Sequence, residues 1–214
     1  MILAYKLVSE APVNVLKSVL DVFSKTAIEV CEGQQYDMEF ESRNDVVEAE
    51  YLEMIRLKTA VLLGGSLKIG SIIGNAPDND SQQLYDFGSD MGISFQLQDD
   101  WLDVYGNSDD FGKPIGGDIV CNKKTFLLIS ALNTLQGNSK EELQKWLAKD
   151  EFNKSEKISA VKNLFDEAKI SKITREKINF YSENSLKRIS GIKGSVDIKA
   201  ELAELAHNIV ERTR

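Results

Sequence analysis

The sequence predicts an all-α fold. Three observations carry it. Apolar residues recur at i, i+3, i+4 and i+7 almost throughout. Strand-type alternation with clustered β-branched residues is nowhere sustained. Only three prolines occur in 214 residues, so few helices are interrupted from within. No repeat, low-complexity tract or linker divides the chain, and residues 1–214 are expected to form a single domain.

The elements follow in order. Val13, Val15, Leu16, Val19, Leu20, Val22, Phe23, Ala27 and Val30 form a broad apolar stripe. Pro12 sits where a first helical turn accepts it, and this helix is expected to run toward Glu39. A second long helix is expected from near Val46 to about Ile73. Its centre, TAVLLGGSLKIGSIIG, is rich in small residues and suits close packing in a bundle. Asn75 to Ser81 is a break, with Ser81 as the expected N-cap of a helix reaching about Tyr105. Gly106 to Gly117 is punctuated by glycines and Pro114 and reads as a loop. Further helices are expected near Thr125–Leu135, Lys140–Ala148, Ser155–Glu167, Ser171–Ile189 and Asp197–Val210.

Charge and composition exclude several functions. Thirty-four acidic against 26 basic residues give a formal net charge of −8, which argues against non-specific nucleic-acid binding. Anion binding is not excluded, because a divalent cation inverts the local sign. Cys31 and Cys121 are far apart and outside any CxxC pattern, as free thiols of a reducing compartment would be. The single His207 cannot build a zinc site alone. The N-terminal MILAYKLVSEAP is too short and too weakly apolar for a signal peptide. The most apolar stretch, Ala60 to Gly74, is too short to span a bilayer. The expectation is a cytoplasmic protein that is not an integral membrane protein.

The segment FQLQDDWLDVYGNSDDFGKPIGGD is the most informative. On a helix, Asp99 and Asp103 are four apart and Asp100 and Asp103 three apart, so all three are expected to project near one another. Like charges at this spacing repel, and they fall toward the C-terminal end of the helix, where the dipole disfavours anions. No lysine intervenes between Lys68 and Lys113. By spacing alone, a solvated acidic turn is the commoner reading of such a pattern. If a cation fills it, the hard oxygen donors without His or Cys favour Mg²⁺, with Mn²⁺ as the substitute. The stretch from Asp78 lacks the glycine and glutamate of a calcium-binding EF-hand loop. Gly64-Gly65-Ser66-Leu67-Lys68 lacks nucleotide P-loop spacing.

Lysines surround the acidic cluster. Lys113 lies in the glycine-rich loop, Lys123 and Lys124 follow Asp118, and Lys58-Thr59 lies on the preceding long helix. Each alone suits a surface position. Together with a metal they are what a diphosphate requires: metal-bridged oxygens on one side and ammonium donors on the other.

Gly33-Gln34-Gln35-Tyr36-Asp37, Lys58-Thr59, Phe95 to Asp103, Gly112 to Ile119 and Asn122-Lys123-Lys124-Thr125 occur in an order that resembles the trans-isoprenyl diphosphate synthases, also called polyprenyl synthetases. The third and fourth pieces are the specific ones. The resemblance implies condensation of an allylic diphosphate with isopentenyl diphosphate inside the central cavity of a helical bundle. It also implies Mg²⁺ held between two aspartate-rich motifs, and a homodimer. Asp99, Asp100 and Asp103 match the second of those motifs. Lys58, Lys113 and Lys123 match positions that grip the allylic diphosphate. Thr59 and Gln96 match positions near the reacting carbon, and Gln34 and Asp37 a motif lining the same cavity.

Such chemistry needs little acid–base machinery. The work is electrostatic stabilisation of a departing diphosphate, with water kept from the allylic cation. The first aspartate-rich motif has no counterpart in this sequence. A non-catalytic subunit that keeps a diphosphate half-site is therefore the alternative reading. A terpene cyclase shares the ionisation chemistry, but the Gly-Lys loop followed by Asn-Lys-Lys-Thr speaks for the synthase.

Overall fold

A computed structural model describes residues 2–106 and 115–211. All described regular elements are helical. The chain opens with α1 (Ile2–Val8), for which the sequence carried no expectation. Pro12 is not yet helical. Its carbonyl accepts the N–H groups of Val15 and Leu16 in a turn, and α2 (Leu16–Ser42) starts one turn later than its apolar stripe suggests.

The buried residues of α2 are Val19, Thr26, Gly33 and Phe40, a strict seven-residue seam. Two of the four are small or polar, and that allows a close crossing. A Cβ on Gly33 would lie 2.3 Å from the Lys58 backbone nitrogen. Gly33→Ala therefore overpacks backbone against backbone and is expected to cost about 1–3 kcal/mol, measurable as a lowered urea midpoint.

The expected second helix runs without a break but changes its winding midway. It consists of α3 (Glu48–Ile55), a π-helical turn at Arg56–Ala60, and α4 (Val61–Ile73). Inserted π turns are uncommon and concentrate at functional sites; this one carries Lys58 and Thr59. At the start of α3, the Glu50 carboxylate accepts the Val47 N–H at 3.0 Å, half of a capping box.

The next helix, α5 (Asp78–Tyr105), begins three residues before Ser81. Pro77 takes the N-cap position with extended backbone, and Asp78 and Asp80 put negative charge in the first turn, where the dipole favours it. Ser81 is thus inside the helix, buried, and its hydroxyl has no hydrogen-bond partner among the described residues. Gly88 meets α4 closely: a Cβ there would lie 2.8 Å from the Gly64 nitrogen.

After the segment 107–114, which holds Lys113 and lies outside the described residues, comes a short α6 (Gly117–Val120). Gly116 precedes it in the left-handed region (φ 83°), where glycine carries no steric penalty. Then follow α7 (Phe126–Thr134), α8 (Gly137–Ala148), α9 (Lys154–Glu167), α10 (Ile170–Ser190) and α11 (Val196–Glu211). Thr125 caps α7 by accepting the Leu128 N–H, and Asn153 caps α9 by accepting that of Glu156.

Helix α5 is the axis of the packing. α4 lies along one side of it and α10 along another, where the Ser94 hydroxyl donates to the Ile178 carbonyl at 3.1 Å. One apolar cluster, including Tyr51, Met54, Ile55, Leu97, Phe126 and Ile178, backs the polar residues described below. A second joins α7, α9 and α10 through Leu127, Val161, Phe165 and Ile170. A third, with Phe87, Met91, Ile189 and Ala206, fastens α11 to the far end of α5. Among the described residues no helix is long and apolar enough to cross a membrane. Cys31 and Cys121 are both free and exposed.

Candidate active site

Asp37, Tyr51, Lys58, Thr59, Gln96, Asp100 and Lys123 line one polar cleft floored by Met54 and Ile55. Each comes from a different local cause. Asp37 is one helical turn beyond Gly33, so the close crossing at Gly33 brings its carboxylate to the π turn. There the Lys58 ammonium donates to it at 2.6 Å. The wider π turn reduces the angle between successive side chains, and Thr59 also faces the cleft. Its hydroxyl donates to the Gln96 amide oxygen at 3.2 Å. The Gln96 amide nitrogen in turn donates to Asp100 at 3.1 Å. The buried Tyr51 hydroxyl donates to the other oxygen of the same carboxylate.

A chain of hydrogen bonds therefore runs Thr59, Gln96, Asp100, Tyr51, with Asp100 only 3% exposed at its centre. Burial is the main reason its carboxyl pKa is pushed up to about 7; the charge of Asp118 adds to the rise. Lys123 and the donors Tyr51 and Gln96 oppose it. Burial and the Asp100 charge likewise hold the Tyr51 phenol well above its ordinary range.

The three aspartates do not share one direction as their spacing suggested. Asp100 turns into the helix interface. Asp103 turns to the following loop, where its carboxylate accepts the Asp118 N–H at 3.0 Å and its carbonyl accepts the Gly116 N–H at 2.6 Å. Asp99 is half-buried and outside the lining of the cleft, as is the exposed Gln34. Among the described residues no three acidic, His or Cys side chains stand close enough together to hold a metal ion unaided. Asp100 and Asp103, although neighbours on the helix surface, turn to different donors: Asp100 to Tyr51 and Gln96, Asp103 to the Asp118 N–H.

The electrostatics still fit a hard cation. The donors are all oxygens, and Asp103, like Asp100, has a raised pKa, first from burial and then from the charge of Asp118. Mg²⁺ needs only one or two protein carboxylates when phosphate oxygens and water complete its shell.

Among the described residues, Lys123 is the cation that acts on both Asp100 and Asp103; it stands 3.5 Å from Asp118 with its side chain 41% exposed. Burial works to lower its pKa, but Asp100, Asp118 and Asp37 together hold it above the ordinary lysine value. Its neighbour Lys124 points elsewhere, into a groove with Leu128, Leu132 and Leu147, and burial lowers its pKa.

Two contributors escaped the sequence reading as site residues. Asp118 figures in the sequence only as part of the Gly112 to Ile119 motif and as the residue that Lys123 and Lys124 follow. Tyr51 was not noted at all, although it lies seven residues before Lys58, two helical turns along the same face.

Comparison with known proteins gives a consistent result. Residues 1–165 match the family described as Polyprenyl synthetase. Over 161 residues the chain is 38% identical to a geranylgeranyl diphosphate synthase of Sulfolobus acidocaldarius, covering 73% of this chain and 49% of that one. It is 35% identical over 215 residues to a geranylfarnesyl diphosphate synthase of Natronomonas pharaonis, with 98% and 59% covered. Among solved structures, a geranylgeranyl pyrophosphate synthase superposes with a TM-score of 0.93 at 37% identity, over 99% of this chain and 65% of the other. The corresponding synthetase of Pyrococcus horikoshii superposes with a TM-score of 0.89 at 31% identity, over 98% and 63%. The chain thus spans about half the length of the curated relatives it matches. The match to one family over most of this chain, together with the all-helical fold, shows that the chain belongs to the polyprenyl synthetases.

Proposed function

We propose that the cleft binds the diphosphate group of an allylic substrate as part of a prenyltransferase that adds isopentenyl diphosphate. The observation that carries this reading is the meeting of Lys58 and Lys123 with a carboxylate cluster short of positive charge, in one cleft.

Lys58 and Lys123 bind the diphosphate oxygens through charge-assisted hydrogen bonds. Lys113, which the resemblance assigns to the same diphosphate, lies outside the described residues. The Thr59 hydroxyl and the Gln96 amide oxygen present negative dipole ends to positive charge developing on the substrate carbon. Asp37 lines the cleft and holds Lys58 until ligand arrives, whereas the exposed Gln34 lies outside that lining. Mg²⁺, or Mn²⁺ in its place, would be held by Asp99, Asp100 and Asp103, and when bound it supplies charge that stabilises a leaving diphosphate. One domain, a cytoplasmic location and a homodimer complete the proposal. Ile2, Leu3 and Leu7 on α1 are largely exposed, which suits a partner surface.

Calorimetric titration with inorganic diphosphate, with and without Mg²⁺, tests this. The expected result is magnesium-dependent binding; a folded chain that binds nothing overturns it. Elongation assays with an allylic diphosphate then separate a prenyltransferase from a subunit that only binds.

A further inference from the structure

Lys157 on α9 is fully buried, at 0% exposure. Among the described residues it has no carboxylate partner. Its ammonium donates instead to the Asn122 side-chain oxygen at 2.7 Å and to the Val120 carbonyl at 3.2 Å. It also lies 4.1 Å from the centre of the Phe152 ring. A buried cation without a counter-ion is costly, so such a group needs polar partners that satisfy it.

The partners lie in an unusual stretch of chain. Asn122 has a positive φ of 53°, a conformation that non-glycine residues adopt rarely and that Asn tolerates best. Its amide is pinned at both ends. The oxygen faces an ammonium, which can only donate, and the nitrogen donates to the Leu147 carbonyl at 2.9 Å. Immediately after this residue the two lysines part. Lys123 joins the cleft with Asp37, Thr59 and Asp100, whereas Lys124 joins the groove on the other side. The same helix braces the start of the segment. A Cβ on Gly116 would lie 2.8 Å from the Ile158 side chain.

We infer that Lys157 is a positioning residue for the diphosphate site: its buried ammonium clamps Asn122 in the left-handed turn that directs Lys123, rather than Lys124, into the cleft. The inference rests on the proposal that Lys123 grips diphosphate. It adds a device 34 residues further along the chain, on an element that among the described residues contributes no side chain to the cleft.

Lys157→Met keeps the buried length and removes the donors. Two readouts are taken on it. The first is hydrogen exchange at the Lys123 amide, which in the wild type donates to the Asp118 carbonyl at 3.0 Å. Its protection is expected to fall about tenfold or more relative to core amides of α5. The second is calorimetric affinity for inorganic diphosphate with Mg²⁺, expected to weaken about tenfold. In a Lys123→Ala background the same change is expected to have no further effect on affinity, because Lys157 acts through Lys123.

A folded Lys157→Met protein with an unchanged Lys123 amide and unchanged affinity overturns the inference, as does a loss of affinity that persists undiminished in the Lys123→Ala background. If Lys157→Met does not fold, Asn122→Gly carries the same test, since glycine accepts the positive φ while removing the clamped amide. If the wild type binds no diphosphate, the functional proposal fails. The amide-exchange readout then still decides whether the clamp holds Lys123.

Discussion

Asp100→Asn is expected to stabilise the metal-free protein at pH 8 and to flatten its stability profile between about pH 4 and 7. The carboxyl of Asp100 is pushed up to about 7, chiefly by burial and next by the charge of Asp118. In the unfolded chain it returns to the ordinary aspartate range. Between those two values the folded state binds more protons than the unfolded one, so stability from this group falls as pH rises through the window. Above it the full penalty applies, at most about 4 kcal/mol for a shift of this size. Asparagine has nearly the same shape and no charge to lose. Its oxygen accepts from Tyr51, and a rotated Gln96 amide accepts from its nitrogen while donating to the Thr59 hydroxyl. Other carboxylates, such as Glu53 beside Arg56, have lowered pKa values and lose their contribution as pH falls. The difference between the wild-type and variant profiles therefore isolates Asp100. Urea unfolding across pH in the presence of a chelator measures it. Parallel profiles would mean that Asp100 is ionised in the folded state throughout the range.

The sequence made most helices readable because their boundaries are chemically marked. Thr125 and Asn153 stand at N-caps, and Gly106 follows the end of α5. Other features leave no such mark. Arg56 to Ala60 has an ordinary helical composition, and its π turn arises from packing against α2 at Gly33 rather than from any local signal. Ser81 has the right chemistry for a cap, but Pro77 with two acidic residues behind it nucleates the helix earlier. The site was legible in part for the same reasons. Lys58, Thr59, Gln96, Asp100 and Lys123 do meet, because short motifs carry their own local geometry. The divergence of Asp99, Asp100 and Asp103 could not be read from spacing, since helical periodicity says which residues are neighbours but not which way a buried carboxylate turns to find donors. Tyr51 was missed because its role lies in a contact 49 residues away.

Lys123→Met is expected to weaken magnesium-dependent diphosphate binding about 10- to 100-fold, the range for losing a charge-assisted hydrogen bond of about 1.5–3 kcal/mol. Lys58→Met is expected to cost less. Lys58 already holds Asp37 at 2.6 Å and must give up that bond to reach a ligand, whereas Lys123 stands 3.5 Å from Asp118 in a looser pair. The two lysines also differ in what they do without ligand. Lys123 lowers the pKa of both Asp100 and Asp103, so its removal is expected to move the pH window of the Asp100 effect upward. Calorimetry gives the affinities, and the unfolding profile gives the window. Unchanged affinity with a displaced window would assign Lys123 to neutralising the carboxylates and not to gripping phosphate. Lost affinity with a displaced window supports both roles at once. In that case the same ammonium that keeps the empty cleft tolerable would pass to the diphosphate, and Asp100 and Asp103 would hold the cation that balances them, so that filling the site would exchange one set of charge pairs for another instead of adding bare charge to a buried cleft.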